Sequence, residues 1–276
     1  MTQTAGPDPH YLQYSPQGLQ PIQQTLIDEQ AVTLSVNGAD WLTFQCTPAT
    51  LQELAVGFLF NEAIIKAISE IEHARVCDDH SNVDIWLTHA AERPPTWQRT
   101  SGCTGGASAT LPTDLAPLPV DWEVSPNALL AGMTALYQVE GLYQQYRGLH
   151  CSALFDGERI RLHAADIGRH NTLDKLAGMW MISGERVEKP TLLTTGRVSS
   201  EMLHKAARMG CGVVVSRTTP TRLAVRSAQA LRVTLVGYAR RDSFVIYAAP
   251  ERIRAGMPAG SPQAFDQDQA QTDSEG

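Results

Sequence analysis

Thr191-Leu192-Leu193-Thr194 runs into Thr195-Gly196-Arg197-Val198-Ser199, Gly212-Val213-Val214-Val215 into Ser216-Arg217-Thr218-Thr219-Pro220-Thr221, and Arg232-Val233-Thr234-Leu235-Val236 into Gly237-Tyr238-Ala239-Arg240-Arg241-Asp242-Ser243. Each apolar run has strand character and stops at a small or basic loop, and two of the loops open helical patterns. Parallel strands joined by helices bring such loops side by side at one sheet edge. Helix N-termini and arginines gathered there suit phosphate groups. The stretch therefore predicts an α/β sheet with a large anionic ligand at its rim.

The rest of the chain is consistent with that local chemistry. Its 276 residues, 43% apolar, are enough to bury a substantial core. The formal charge of −7 argues against general nucleic-acid binding. Arginines concentrate in 197–241 while the last twenty residues are acidic, so the basic cluster is local, as a ligand site would be. No run reaches the ~18–20 apolar residues of a membrane span, and no signal peptide is evident. Five widely spaced cysteines, Cys46, Cys77, Cys103, Cys151 and Cys211, suit a cytoplasmic protein with free thiols.

Four segments are expected: a disordered stretch over 1–20, a β-rich part over 21–124, an α/β part over 125–256, and a disordered acidic tail over 257–276. Alternation over 31–36 and 41–46 around Asn37-Gly38 predicts a hairpin. Thr47 with Pro48 is expected to open a helix. A strand pair is expected near 72–77 and 82–88, and a loop from His89 to Thr104. Ser125-Pro126 starts a helix expected to reach Tyr146. Strands near 150–155 and 158–163 and a helix near 170–182 follow.

Thr100-Ser101-Gly102-Cys103-Thr104-Gly105-Gly106 sets one thiol among small residues. Glycines let the backbone turn sharply and a large partner approach, and successive N–H groups favour a thiolate. Cys103 reads either as a nucleophile or sulfur carrier, or as a small buried residue of a tight turn. The loop has no following arginine for a phosphatase-like cradle and no Cys-x-x-Cys, since position 106 is glycine. One sulfur is not a zinc site, and no zinc is expected. Asp166-Ile167-Gly168-Arg169-His170-Asn171-Thr172-Leu173-Asp174-Lys175 opens a helix, with Asp166 or Asn171 as its cap and Asp174 and Lys175 as solvated surface charges. Arg169 and His170 stand at the helix entrance, within reach of a ligand. His150 and His163 are the other candidate imidazoles.

These segments, with Glu53-Leu54-Ala55-Val56-Gly57-Phe58-Leu59 and Tyr247-Ala248-Ala249-Pro250-Glu251-Arg252, occur in an order that closely resembles the formate dehydrogenase accessory sulfurtransferase family, FdhD. The resemblance covers about residues 20–255. It implies a cytidine-deaminase-like layered α/β fold with a mixed sheet and a smaller antiparallel N-terminal portion, without zinc, and a homodimer. It also implies that Cys103 takes persulfide sulfur from a cysteine desulfurase and passes it to bis(molybdopterin guanine dinucleotide) molybdenum cofactor for formate dehydrogenase. Tyr238, Ala239, Arg240, Arg241, Asp242 and Ser243 match the family's cofactor-binding segment. Thr195, Gly196, Arg197, Arg169 and His170 are expected to join them. The chain departs from the family at Gly106, which stands where a second cysteine is common, at Arg147-Gly148-Leu149 and at Ala165. A cofactor chaperone without sulfur chemistry is the alternative reading, and a cysteine hydrolase using His150 or His170 a weaker third.

Overall fold

The computed structural model describes residues 11–24, 26–94, 98, 99, 107, 108, 115–139 and 148–254. A hairpin of β1 (Tyr11–Ser15) and β2 (Gly18–Ile22) comes first. Residues 11–20 are thus structured, contrary to expectation. Their alternation of Leu12, Tyr14 and Leu19 supports a paired ribbon despite the polar composition around it.

β3 (Gln30–Val36) and β4 (Ala39–Cys46) pair antiparallel. Asn37 and Gly38 turn between them with φ of 51° and 81°, the left-handed geometry that tight hairpins require. α1 (Leu51–Asn61) follows. Thr47 does not cap it. Thr50 is the N-cap residue, and Thr47 instead donates its hydroxyl to Asp166 at 3.0 Å. β5 (Ile71–Val76) and β6 (Asn82–Leu87) complete a sheet in the order β4-β3-β6-β5. The pair β3–β6 is parallel, so this N-terminal sheet is not wholly antiparallel. Two-residue strands β7 (Gln98–Arg99) and β8 (Ala107–Ser108) pair with each other.

α2 (Pro126–Gln138) starts where expected, with the Ser125 hydroxyl accepting from the Ala128 N–H at 3.1 Å. It ends by Gln138, and the expected continuation over 140–146 lies outside the described residues. The second half comprises β9 (His150–Phe155), β10 (Ile160–Asp166), α3 (Arg169–Ser183), β11 (Thr191–Thr194), α4 (Ser200–Arg208), β12 (Val213–Ser216), α5 (Arg222–Leu231), β13 (Thr234–Gly237) and β14 (Val245–Ala248). These strands form a mixed sheet ordered β10-β9-β11-β12-β13-β14, in which β11, β12 and β13 run parallel. The parallel core of β11, β12 and β13, joined by α4 and α5, makes this a layered α/β architecture.

Both faces of this sheet are covered. Leu192, Val214 and Leu235 face the larger core, which α1, α3, α4, α5 and the four-stranded sheet share. Leu193, Val215 and Val236 face α2 through Leu129, Met133 and Leu136. Because parallel strands buried on both sides cannot alternate with polar residues, they read as continuous apolar runs.

Asp174 and Lys175 are buried, not solvated. Lys175 pairs with Asp166 at 2.6 Å, and both side chains are fully enclosed. Asp174 receives two hydrogen bonds of 2.7 Å from Lys205 and one of 2.7 Å from Asn61. Burial works against the Lys205 cation, but Asp174 and Glu62 outweigh it and hold the ammonium above its ordinary pKa. Gly168, not Asp166 or Asn171, is the N-cap residue of α3. Asp166 serves the entrance differently, accepting from the Gly168 N–H at 2.7 Å and from Asn171 at 2.9 Å.

Candidate functional site

The C-terminal ends of β11, β12 and β13 carry the three loops to one rim. The register Thr194↔Ser152 and Asp166↔His150 brings the start of β9 and the end of β10 to the same edge. Two of the loops end in helix caps: Ser199 Oγ accepts from the Met202 N–H and Thr221 Oγ1 from the Ala224 N–H. The third turns back into β14, closed by the Arg240 N–H donating to the Ser243 carbonyl at 2.9 Å.

One corner of the rim gathers Gly196, Arg169, His150 and Arg197. A Cβ on Gly196 would lie 3.1 Å from the Arg169 Cβ and 3.4 Å from His150 Nδ1, so a side chain there would crowd both. Burial, then Arg169 and Arg197, push the His150 pKa below its ordinary value. The ring is therefore a neutral base at pH 7. Thr195 faces inward, accepting the Cys151 N–H on its hydroxyl at 3.0 Å.

His170 is buried beneath this corner. Its Nε2 lies 3.1 Å from Ser199 Oγ and 3.2 Å from Glu201 Oε2. Burial, with Lys205 and Arg169 nearby, pushes its pKa down to about 3. The ring is neutral at pH 7, so its 3.2 Å contact with Glu201 is not an ion pair.

The other corner is a pocket of about 290 Å³ between α2 and the last loop, lined by Met133, Tyr137, Arg217, Ala239, Arg240 and Arg241. The Arg217 guanidinium sits 5.4 Å from the centre of the Tyr137 ring. Ala239 is buried, whereas Tyr238, Arg240, Arg241, Asp242 and Ser243 are exposed. Tyr238 takes φ of 51°, and a Cβ on the preceding Gly237 would meet the Thr218 carbonyl at 2.8 Å. A roomier hollow of about 650 Å³, floored by Phe60, Leu154 and Met209, lies at the opposite end of the sheet and lacks the arginine cluster.

The residues expected to bind the cofactor thus share one rim in two corners, except His170, which is buried beneath it rather than open to a ligand as expected. Tyr137 and Glu201 escaped the sequence reading, because nothing local marks a tyrosine late in an amphipathic helix or a glutamate in a first helical turn. Cys103 lies outside the described residues. Of the other thiols, burial pushes Cys46 and Cys211 up to about 12 and raises Cys151. Cys77 donates to Asp79 at 2.9 Å. Among the described residues no three metal-ligating side chains gather, and no helix is long and apolar enough to cross a membrane.

A family model described as "FdhD/NarQ family" matches residues 27–254. The "Sulfur carrier protein FdhD" of Bacillus subtilis (strain 168) is 35% identical over 84% of this chain and 92% of its own length. The protein of that name in Staphylococcus haemolyticus (strain JCSC1435) is 35% identical over 83% of this chain and 89% of its own. A solved structure from Desulfotalea psychrophila, described as a formate dehydrogenase accessory protein, superposes with a TM-score of 0.74 at 25% identity. That superposition covers 89% of this chain and 97% of the other.

Proposed function

The chain belongs to the FdhD/NarQ family, and from that premise we propose that it is a sulfur carrier serving formate dehydrogenase, with Cys103 as the carrying thiol. The observation that carries the proposal is the likeness, over most of the chain, to relatives named as sulfur carriers. The raised or bonded state of the other thiols supports giving the role to the cysteine in the glycine-rich loop.

In the first half-reaction the Cys103 thiolate attacks the outer sulfur of a persulfide on a cysteine desulfurase. The donor's S–S bond breaks, its cysteine leaves as a thiolate, and Cys103 becomes a persulfide, with no net oxidation. The acceptor is bis(molybdopterin guanine dinucleotide) molybdenum cofactor, held as substrate. Converting the carried sulfur to a metal-bound sulfide takes two electrons. Gly106 leaves no second loop thiol to supply them, so they come from the metal or from an external thiol. The rim supports an anionic, nucleotide-tailed acceptor. Arg217, Arg240 and Arg241 suit its phosphates, and Arg169 and Arg197 form a second basic corner beside the neutral His150. The proposal includes a homodimer working in the cytoplasm.

Intact-mass measurement after incubation with a cysteine desulfurase and free cysteine tests the chemistry. The protein is expected to gain one sulfur atom, mapped to Cys103 and absent from Cys103→Ala. A Cys103→Ala protein that still activates formate dehydrogenase would instead establish a cofactor chaperone.

A further inference from the structure

Beneath the rim runs a continuous line of buried hydroxyls that the proposed chemistry does not use. Thr172 Oγ1 donates to the Arg169 carbonyl at 2.7 Å and lies 2.7 Å from Ser152 Oγ. Ser152 Oγ also lies 2.9 Å from Thr194 Oγ1, and Thr194 Oγ1 accepts the Gly196 N–H at 3.2 Å. Ser216 Oγ donates to the Gly196 carbonyl at 2.7 Å and accepts the Thr218 N–H at 3.0 Å. The Tyr238 N–H then donates to the Thr218 carbonyl, and the Ala239 N–H to the Ser216 carbonyl, both at 3.0 Å. Thr172, Ser152, Thr194 and Ser216 are all fully enclosed. The line starts at the Arg169 corner, holds Gly196 by both its backbone groups, and ends at the loop of Tyr238 and Ala239.

Buried hydroxyls are costly to enclose unless bonded, and apolar residues fill such strand positions more simply. Here each hydroxyl bonds another hydroxyl of the line or the backbone of a rim loop. We propose that Ser152, Thr172, Thr194 and Ser216 are positioning residues that lock the two corners into one preorganised anion-binding rim. This rests on the reading of the rim as the site for the nucleotide-tailed acceptor. Preorganised loops lose less freedom on binding, so the hydroxyls act on affinity without touching the ligand.

The test compares Thr194→Val, which keeps shape and removes the hydroxyl, with Thr194→Ser, which keeps the hydroxyl. Thr234→Val is the control. Thr234 is equally buried and hydrogen-bonded, to the Ala249 carbonyl, but sits at the far end of β13. Thr194→Val and Ser216→Ala are expected to weaken binding of guanosine diphosphate by about tenfold, the usual scale of one buried hydrogen bond. Thr194→Ser and Thr234→Val should stay near the parent affinity. Amide exchange at Gly196 and Thr218 should quicken in Thr194→Val without any ligand. Unchanged exchange there, or an affinity loss shared equally by Thr234→Val, overturns the inference. A parent protein that does not bind the nucleotide counts against the rim as the acceptor's site, and the exchange result still decides the role of the hydroxyls.

Discussion

Gly57 of α1 and Gly178 of α3 meet through bare backbone. A Cβ on Gly57 would fall 1.8 Å from the Asp174 carbonyl oxygen, and one on Gly178 would fall 1.9 Å from the Glu53 carbonyl oxygen. Glycine inside a helix costs about 1 kcal/mol relative to alanine. Close approach is therefore the reason for both, and it sets the depth at which α3, and with it Arg169 and His170, sits against α1.

Gly57→Ala and Gly178→Ala should each destabilise the protein by about 3 kcal/mol or more, because a contact under 2 Å with backbone forces the helices apart. Urea denaturation measures this. A loss below about 0.5 kcal/mol, the scale of an ordinary surface substitution, would show that the crossing is looser than described.

Lys205→Met should cost about 3–5 kcal/mol, since it leaves Asp174 charged and buried with only Asn61 as a partner. Replacing both members, Asp174→Leu with Lys205→Met, should recover a large part of that loss. Strict additivity in the double-mutant cycle would mean that the pair does not couple.

The strands of the second half and the entrances of α4 and α5 were legible because their signals are local, whereas the cap of α3, Gly168, was not. Ser199 and Thr221 stand directly before apolar helical patterns, and the runs of β11, β12 and β13 are apolar throughout. The burial of Asp174 and Lys175 was not legible. Lys205, the partner of Asp174, comes 31 residues later, and Thr47, which accepts from Lys175, lies 128 residues away. A charged pair on a helix looks the same in sequence whether water or another helix faces it. The arginine rim followed from strand–helix alternation alone. Its pocket wall did not, because Tyr137 belongs to a helix that reaches the rim only by packing across the sheet's other face.

Arg217→Lys should weaken guanosine diphosphate binding by about five- to tenfold although it keeps the charge. Lysine loses both the guanidinium's contact over the Tyr137 ring and the fork that engages phosphate. Arg217→Ala should weaken it further and also flatten the dependence of affinity on salt. Calorimetric titrations at two ionic strengths separate these effects. Equal affinity for the lysine variant and the parent would mean that neither the ring contact nor the fork contributes to binding.

His170 gives the fold a definite response to acid. Its folded pKa is pushed from the ordinary 6.5 to about 3, so the unfolded chain takes up a proton that the folded ring refuses. This contribution to stability is intact above pH 6.5 and is lost progressively as pH falls toward 3. The limiting slope is about 1.4 kcal/mol per pH unit. His150, also lowered, acts with the same sign. Glu201 and Asp174, whose carboxyl pKa values are raised by burial, act oppositely as pH falls toward the carboxylate range. Comparing His170→Gln with the parent from pH 7 to 5 singles out the histidine effect. His170→Gln, whatever its stability at pH 7, should lose about 2 kcal/mol less than the parent across that interval. Denaturation curves at pH 7, 6 and 5 measure the difference. Parallel descent of variant and parent would mean that His170 accepts its proton in the folded state, and that its contact with Glu201 is an ion pair after all.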